Sequence, residues 1–137
     1  MKKLIFLLLC TATLGLVSCK KDTIVQNILP RTIIYDIPAS GWKTSDGGYT
    51  YSTTIKVPEN NEDFNQAGGV IVSLSFDSQK RVYDGLPNVV AGLSYNFAYE
   101  PGYVTIFIED VAGLKIGTPP TGTIRSKIVL VDSEIID

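Results

Sequence analysis

The 137-residue chain contains no histidine. That single absence removes imidazole general bases, His-containing metal sites and the Ser-His-Asp and Cys-His arrangements of nucleophilic catalysis. Cysteine is almost as scarce. Cys10 and Cys19 are the only two, and both fall near the start, so no disulfide can staple the residues that follow. Such a body depends on its hydrophobic core for stability. The chain also lacks internal repeats, low-complexity segments and blocks of like charge, and nothing in it suggests a second domain.

What is present begins with an uncharged run. Met1-Lys2-Lys3 is a short basic start, Leu4 to Val17 carries no charge, and Ser18 is a small residue just before Cys19. This is the layout of a secretory signal peptide over residues 1–18. A transmembrane helix is the alternative, but fourteen residues at about 1.5 Å each reach only about 21 Å, short of the roughly 30 Å hydrocarbon layer. Cys10 would leave with the signal, and Cys19 would remain as the only thiol.

Leu16-Val17-Ser18-Cys19 resembles the lipobox of bacterial lipoproteins, cut immediately before a cysteine that already carries a diacylglyceryl thioether. The resemblance implies lipid attachment at Cys19, by diacylglyceryl and N-acyl chains such as palmitate. It also implies anchoring in the cell envelope, at the outer membrane, since two or more chains hold where one is marginal. From Cys19 onward ten Lys and Arg face fourteen Asp and Glu, a net charge of −4. That balance argues against nucleic acid or anionic lipid as a partner. Residues 19–30 read as the lipidated cysteine and a tether, "KKDTIVQNILP", whose second half has strand character. Eleven extended residues span about 36 Å.

Residues 31–137 read as one β domain. Val, Ile, Thr, Tyr and Phe recur with period two in runs separated by Gly, Pro, Asn and Asp. The expected strands are Thr32 to Ile37, Tyr49 to Val57, Val70 to Phe76, Val82 to Leu86, Leu93 to Tyr99, Tyr103 to Glu109 and Thr123 to Asp132. "ENNEDFNQ", residues 59 to 66, is the one segment expected to make a helical turn, ended by Gly68-Gly69. Pro101-Gly102 supplies a turn between two strand-forming runs. A two-residue loop there places Tyr99 opposite Val104, Phe97 opposite Ile106 and Tyr95 opposite Ile108, all on one apolar face. The other face then carries Ser94 with Glu109, Asn96 with Phe107, Ala98 with Thr105 and Glu100 with Tyr103, and a one-residue slip would exchange core and solvent sides. Pro-Gly is not the favoured hairpin turn, which leaves room for a bulge nearby.

About seven strands with short connections point to an all-β, antiparallel β-sandwich, immunoglobulin-like in architecture only, with a small β-barrel as the alternative. Leu86-Pro87, Tyr95 and Phe97, Tyr103 to Ile106 and the closing "KIVLV" of residues 127 to 131 resemble small β-rich lipoproteins of the Bacteroidetes cell envelope, most of them without an assigned function. The likeness implies a domain carried directly on lipid. Relatives displayed at the cell surface often carry acidic residues soon after the lipidated cysteine. Lys20 and Lys21 precede Asp22 here, so the face of the membrane stays open.

Candidate chemistry is thin. Glu109-Asp110 and Ser126-Lys127 are neighbours in strands, where adjacent side chains point to opposite faces, and Asp132 with Glu134 is more often an exposed strand end. No base, nucleophile and orienting group come together, so no enzyme is expected. Glu59, Asn61 and Asp63 are close-spaced oxygen ligands that could interest calcium, against the plainer reading of a solvated loop without EF-hand spacing. Trp42, Tyr49 and Tyr51 would stand together if "KTSDGGY" is a hairpin turn. Aromatic planes flanked by hydrogen-bonding groups suit a sugar ring; the plainer reading is that Trp42 and the strand face Tyr49, Tyr51, Thr53, Ile55 and Val57 line the core. The sequence therefore leads to a non-catalytic envelope module contacting an unknown protein through a strand edge or aromatic patch, or alternatively a glycan.

Overall fold

A computed structural model describes residues 29 to 136. The expected signal peptide (residues 1–18), Cys19 and nearly all of the segment expected to be a tether (residues 19–30) lie outside the described residues. Among the described residues eight strands and one α-helix, with a 3-10 turn at Ala39–Gly41, follow in order: β1 (Arg31–Ile37), β2 (Thr50–Lys56), α1 (Glu62–Ala67), β3 (Gly69–Ser75), β4 (Asp84–Gly85), β5 (Asn88–Val90), β6 (Leu93–Glu100), β7 (Tyr103–Asp110) and β8 (Ile124–Val131). They form two four-stranded antiparallel sheets, β1-β8-β3-β4 and β2-β7-β6-β5, packed face to face. Among the described residues neither sheet closes on itself or joins the other, so the architecture is a sandwich and not a barrel. In the first sheet the last strand sits between the first and third. Immunoglobulin domains pair their first two strands, so the likeness stops at two stacked sheets.

The β6–β7 hairpin has the register derived from its sequence. Tyr99 faces Val104, Phe97 faces Ile106 and Tyr95 faces Ile108, and pairing runs unbroken from Leu93↔Asp110 to Glu100↔Tyr103 without a bulge. Gly102 takes φ +86°, which its missing Cβ permits. Asn60 then locks this turn to the preceding loop. Its side-chain amide donates to the Glu100 carbonyl at 2.7 Å and its own carbonyl accepts from Gly102 N–H, while Val57 N–H donates to the Gly102 carbonyl at 2.7 Å.

The core fills from alternate residues of both sheets. β8 buries Ile124, Ser126, Ile128 and Leu130, β3 buries Val70, Val72 and Leu74, and β7 buries Val104, Ile106 and Ile108. Each such aliphatic side chain contributes about 1.5–3 kcal/mol by leaving water. Phe76 meets Tyr95 edge-on at a centroid distance of 5.1 Å. Burial pushes the Tyr95 phenol above its ordinary range.

Most of the expected strands shift by a single residue at one end or both, and two of the differences change the picture. Val82 to Leu86 shrinks to β4, and the chain then crosses at Leu86-Pro87 to the other sheet, where the unforeseen β5 pairs with the start of β6. Three residues are too few to display a period-two pattern. Tyr49 lies outside β2, which starts at Thr50.

α1 forms where oxygen-rich residues were expected to turn. The Asn61 side chain caps it by accepting from Phe64 N–H at 2.9 Å, with Glu62 and Asp63 in the first turn. Gly68 ends it in ordinary extended geometry (φ −82°), its N–H donating to the Phe64 carbonyl. The reason for glycine is steric. A Cβ there would lie 2.5 Å from Phe64 Cε2 and 2.6 Å from Cζ, and that ring is buried. Gly68→Ala is expected to cost about 1–3 kcal/mol through forced repacking. Urea unfolding should show a lower midpoint at unchanged slope, and an unchanged midpoint would show that the ring yields freely.

The sandwich has two unlike ends. β1 departs from a proximal end closed by α1, the Pro101-Gly102 turn and the exit of β8, tied by Arg31 over the Phe64 ring at 5.8 Å and by Ser133 Oγ donating to the Ala67 carbonyl. At the distal end lie the long connections, residues 38–49 and 111–123, joined where Ile116 N–H donates to the Gly48 carbonyl at 2.9 Å. Six carboxylates (Glu59, Glu62, Asp63, Glu100, Asp132, Glu134) and two cations (Arg31, Lys56) belong to the proximal end.

Candidate functional site

The aromatic group expected at Trp42, Tyr49 and Tyr51 does not assemble as an exposed plane. Trp42 is 4% exposed in the core, with its indole N–H unpartnered, and Tyr51 packs against the core from β2. Tyr49 is 50% exposed, because the chain bends before β2 begins and turns it away from the strand face. Lys115 Nζ lies 5.7 Å over its ring. The loop between is a hairpin connection, as expected, closed by paired bonds between Lys43 and Ser52 at 2.9 and 2.7 Å. Asp46 organises it. Its Oδ1 accepts from Thr50 N–H and Tyr49 N–H, each at 3.0 Å, and from Thr44 Oγ1 at 2.9 Å, and these donors, Thr50 first, hold the carboxyl well below the usual carboxylate range.

The oxygen-rich loop is accounted for locally. Glu59, Asn61 and Asp63 are exposed, and the Asn61 carboxamide oxygen is engaged in the helix cap. Among the described residues no group of three His, Cys, Asp or Glu side chains converges as a metal site would require. The Ser126-Lys127 pair is divided between faces. Ser126 Oγ donates inward to the Tyr35 carbonyl at 3.0 Å, while Lys127 Nζ sits outward, 4.1 Å over the Tyr83 ring.

Two other surfaces stand out. The first is the outer edge of β1, which pairs with β8 over all seven residues and has no strand beyond it among the described residues. Ile34 is 48% exposed on the outer face, and Tyr35, on the core side, is still 44% exposed because the sheet ends there. Arg125 forks onto Asp36 at 2.7 and 2.8 Å, a two-point contact that holds the Asp36 carboxyl below its ordinary value.

The second is the solvent face of the β2-β7-β6 sheet. Its cross-strand rows read Thr50–Glu109–Ser94, Ser52–Phe107–Asn96, Thr54–Thr105–Ala98 and Lys56–Tyr103–Glu100. The hairpin derivation had placed Phe107 and Tyr103 on this mixed face without finding the partner strand β2 that completes it. A depression of about 290 Å³ opens beside Ala98, lined also by Tyr99, Glu100, Thr105 and Phe107. Another of about 280 Å³ lies at the distal end, between Tyr49, Thr50, Glu109, Asp110, Gly113 and Leu114.

Set against known protein families, curated proteins and solved structures, the chain shows no match. Its surfaces are therefore the guide to what it does.

Proposed function

We propose that this chain is a lipid-anchored, non-catalytic binding module of the bacterial cell envelope that contacts a protein partner by strand addition. The observation that carries the partner reading is the edge of β1. Exposed edges are commonly blunted by brevity, proline, lysine or a bulge. β1 runs seven residues, RTIIYDI, with no proline or lysine, and its two charges are already engaged, Asp36 with Arg125 and Arg31 with Asp132 at 3.6 Å. An incoming strand would gain main-chain hydrogen bonds along this edge, with Ile34 and Tyr35 offering apolar contact on alternate faces.

Anchoring rests on the lipobox-like residues before Cys19, and the acyl chains supply the membrane affinity that an acidic body cannot. The edge is tested by replacing Tyr35 with a photoreactive phenylalanine analogue in the full chain, expressed in intact cells. Irradiation is expected to give a discrete protein adduct. Adding Ile34→Glu, which sets a carboxylate opposite the cross-strand Lys127, is expected to reduce that adduct several-fold by placing a charge in the contact. The absence of any adduct, or a yield indifferent to Ile34→Glu, would remove β1 as the contact.

A further inference from the structure

The solvent face of the β2-β7-β6 sheet is built differently from an ordinary wetted sheet. Its two central rows, Ser52–Phe107–Asn96 and Thr54–Thr105–Ala98, contain no charged side chain. They hold one aromatic ring, a small residue and four hydrogen-bonding side chains. Charge is confined to the flanking rows, at Glu109 on one side and at Lys56 and Glu100 on the other. Ala98 leaves the space that the depression beside Phe107 and Thr105 occupies. The second depression lies further along β7, at Glu109. Thr105 and Glu109 are four residues apart on one strand face, about 13–14 Å. Tyr49 and Tyr103 stand toward opposite ends of this track, half exposed.

From this face we infer that the sandwich carries a carbohydrate-binding surface, with a neutral, extended oligosaccharide as ligand. A pyranose presents an apolar face bordered by hydroxyls, which matches the Phe107 ring bordered by Ser52, Asn96, Thr105 and Thr54. One of these contacts is preset, since Thr54 Oγ1 and Thr105 Oγ1 are 3.0 Å apart and share a single hydrogen bond, leaving further lone pairs for a ligand. A peptide strand has little to gain here, because β7 already pairs on both sides and offers no free main-chain ladder. An acyl chain would take out of water the hydrogen-bonding capacity that these hydroxyls and Asn96 keep beyond the Thr54–Thr105 bond and the bond from Asn96 Nδ2 to Ser94 Oγ at 2.9 Å. Glu109 at one end, with Glu100 offset by Lys56 at the other, gives this face no excess of positive charge with which to hold a polyanionic sugar. The surface goes beyond the protein-partner reading and lies on the sheet opposite β1, so the two are separable by substitution.

The test is microcalorimetric titration of the full lipidated chain, held in a detergent without a sugar headgroup, against neutral β-1,4- and α-1,4-linked oligosaccharides and one uronic-acid oligosaccharide. At least one neutral chain is expected to bind. Phe107→Ala is expected to weaken it by roughly tenfold or more, as loss of a central aromatic contact does. Ala98→Leu, an exposed outward position that leaves the core untouched, should do the same by filling the depression. Ile34→Glu on the other sheet should leave the affinity unchanged. The inference is overturned if no neutral oligosaccharide binds, if Ala98→Leu and Phe107→Ala bind as the natural chain does, or if the uronic chain binds as tightly as the neutral ones.

Discussion

In a Cys19→Ser chain, labelled palmitate incorporation is expected to fall to background, and the protein is expected to accumulate with residues 1 to 18 still attached. The lipobox resemblance implies a fixed order of chemistry. Thioether formation on the cysteine precedes cleavage before it, so a hydroxyl in place of the thiol stops both steps. Replacing residues 1 to 19 by an ordinary cleavable secretory leader should instead release the body into the soluble fraction. Each buried methylene contributes about 0.8 kcal/mol to membrane attachment, so removing every acyl chain removes essentially all of it. Among the described residues the proximal end sets six carboxylates against two cations, a balance that does not favour an anionic membrane surface. Mass spectrometry of the N-terminal peptide and membrane fractionation provide the readouts. Palmitate label surviving in Cys19→Ser would place the lipid elsewhere and dismiss Cys19 as the anchor.

The second large effect is expected in the core, at Ile128. It is fully buried in β8, with Ile33 of β1 on one side and Val72 of β3 on the other. Ile128→Ala removes methyl groups from the place where three strands meet, and the two flanking strands hold the cavity open. The expected loss is about 2–5 kcal/mol. That is a large part of the 5–15 kcal/mol typical of a domain, and no disulfide offsets it. A fall in Tm of about 10 °C or more should follow. Val129→Ala, next in the chain but on the solvent face, should cost less than about 1 kcal/mol and serves as the control. Equal melting of the two variants would mean that the faces of β8 are wrongly assigned.

Much of the sandwich was legible because β-structure announces itself where alternation is long. The β6–β7 hairpin could be registered residue by residue, since Tyr95, Phe97, Val104, Ile106 and Ile108 leave one choice of core side and Pro101-Gly102 fixes the loop. β8 alternates buried and half-buried over its whole length and was equally plain. The crossing at Leu86-Pro87 was not, because β4 and β5 together have five residues and their pairing depends on neighbours distant in sequence. Tyr49 misled for a local reason: it continues the alternation of β2 in sequence, but hydrogen bonding to Asp46 bends the backbone just before the strand starts. Trp42 was read both as core and as a sugar platform, and its burial answers to the first. The Phe107 face was legible only in its β6–β7 part, because it is assembled from three strands. Ser52 and Thr54 become its neighbours only once β2 is laid beside β7, and sequence alone does not show that pairing.

One feature of the first sheet bears on how the body would behave under load. β1 begins at Arg31, next to the segment proposed as a tether, and lies antiparallel to β8 over all seven of its residues, starting at the proximal end. Under the anchoring proposal, a pull between the membrane and a ligand seated toward the distal end runs nearly along the strands. The β1–β8 hydrogen bonds would then be strained side by side in shear, so several must fail together before the chain yields. A pull across the sheet would instead peel them one at a time. Resistance to forced detachment is governed by the unfolding rate and not by equilibrium stability, so the placement of β1 would let a domain of ordinary stability act as a tough mechanical link.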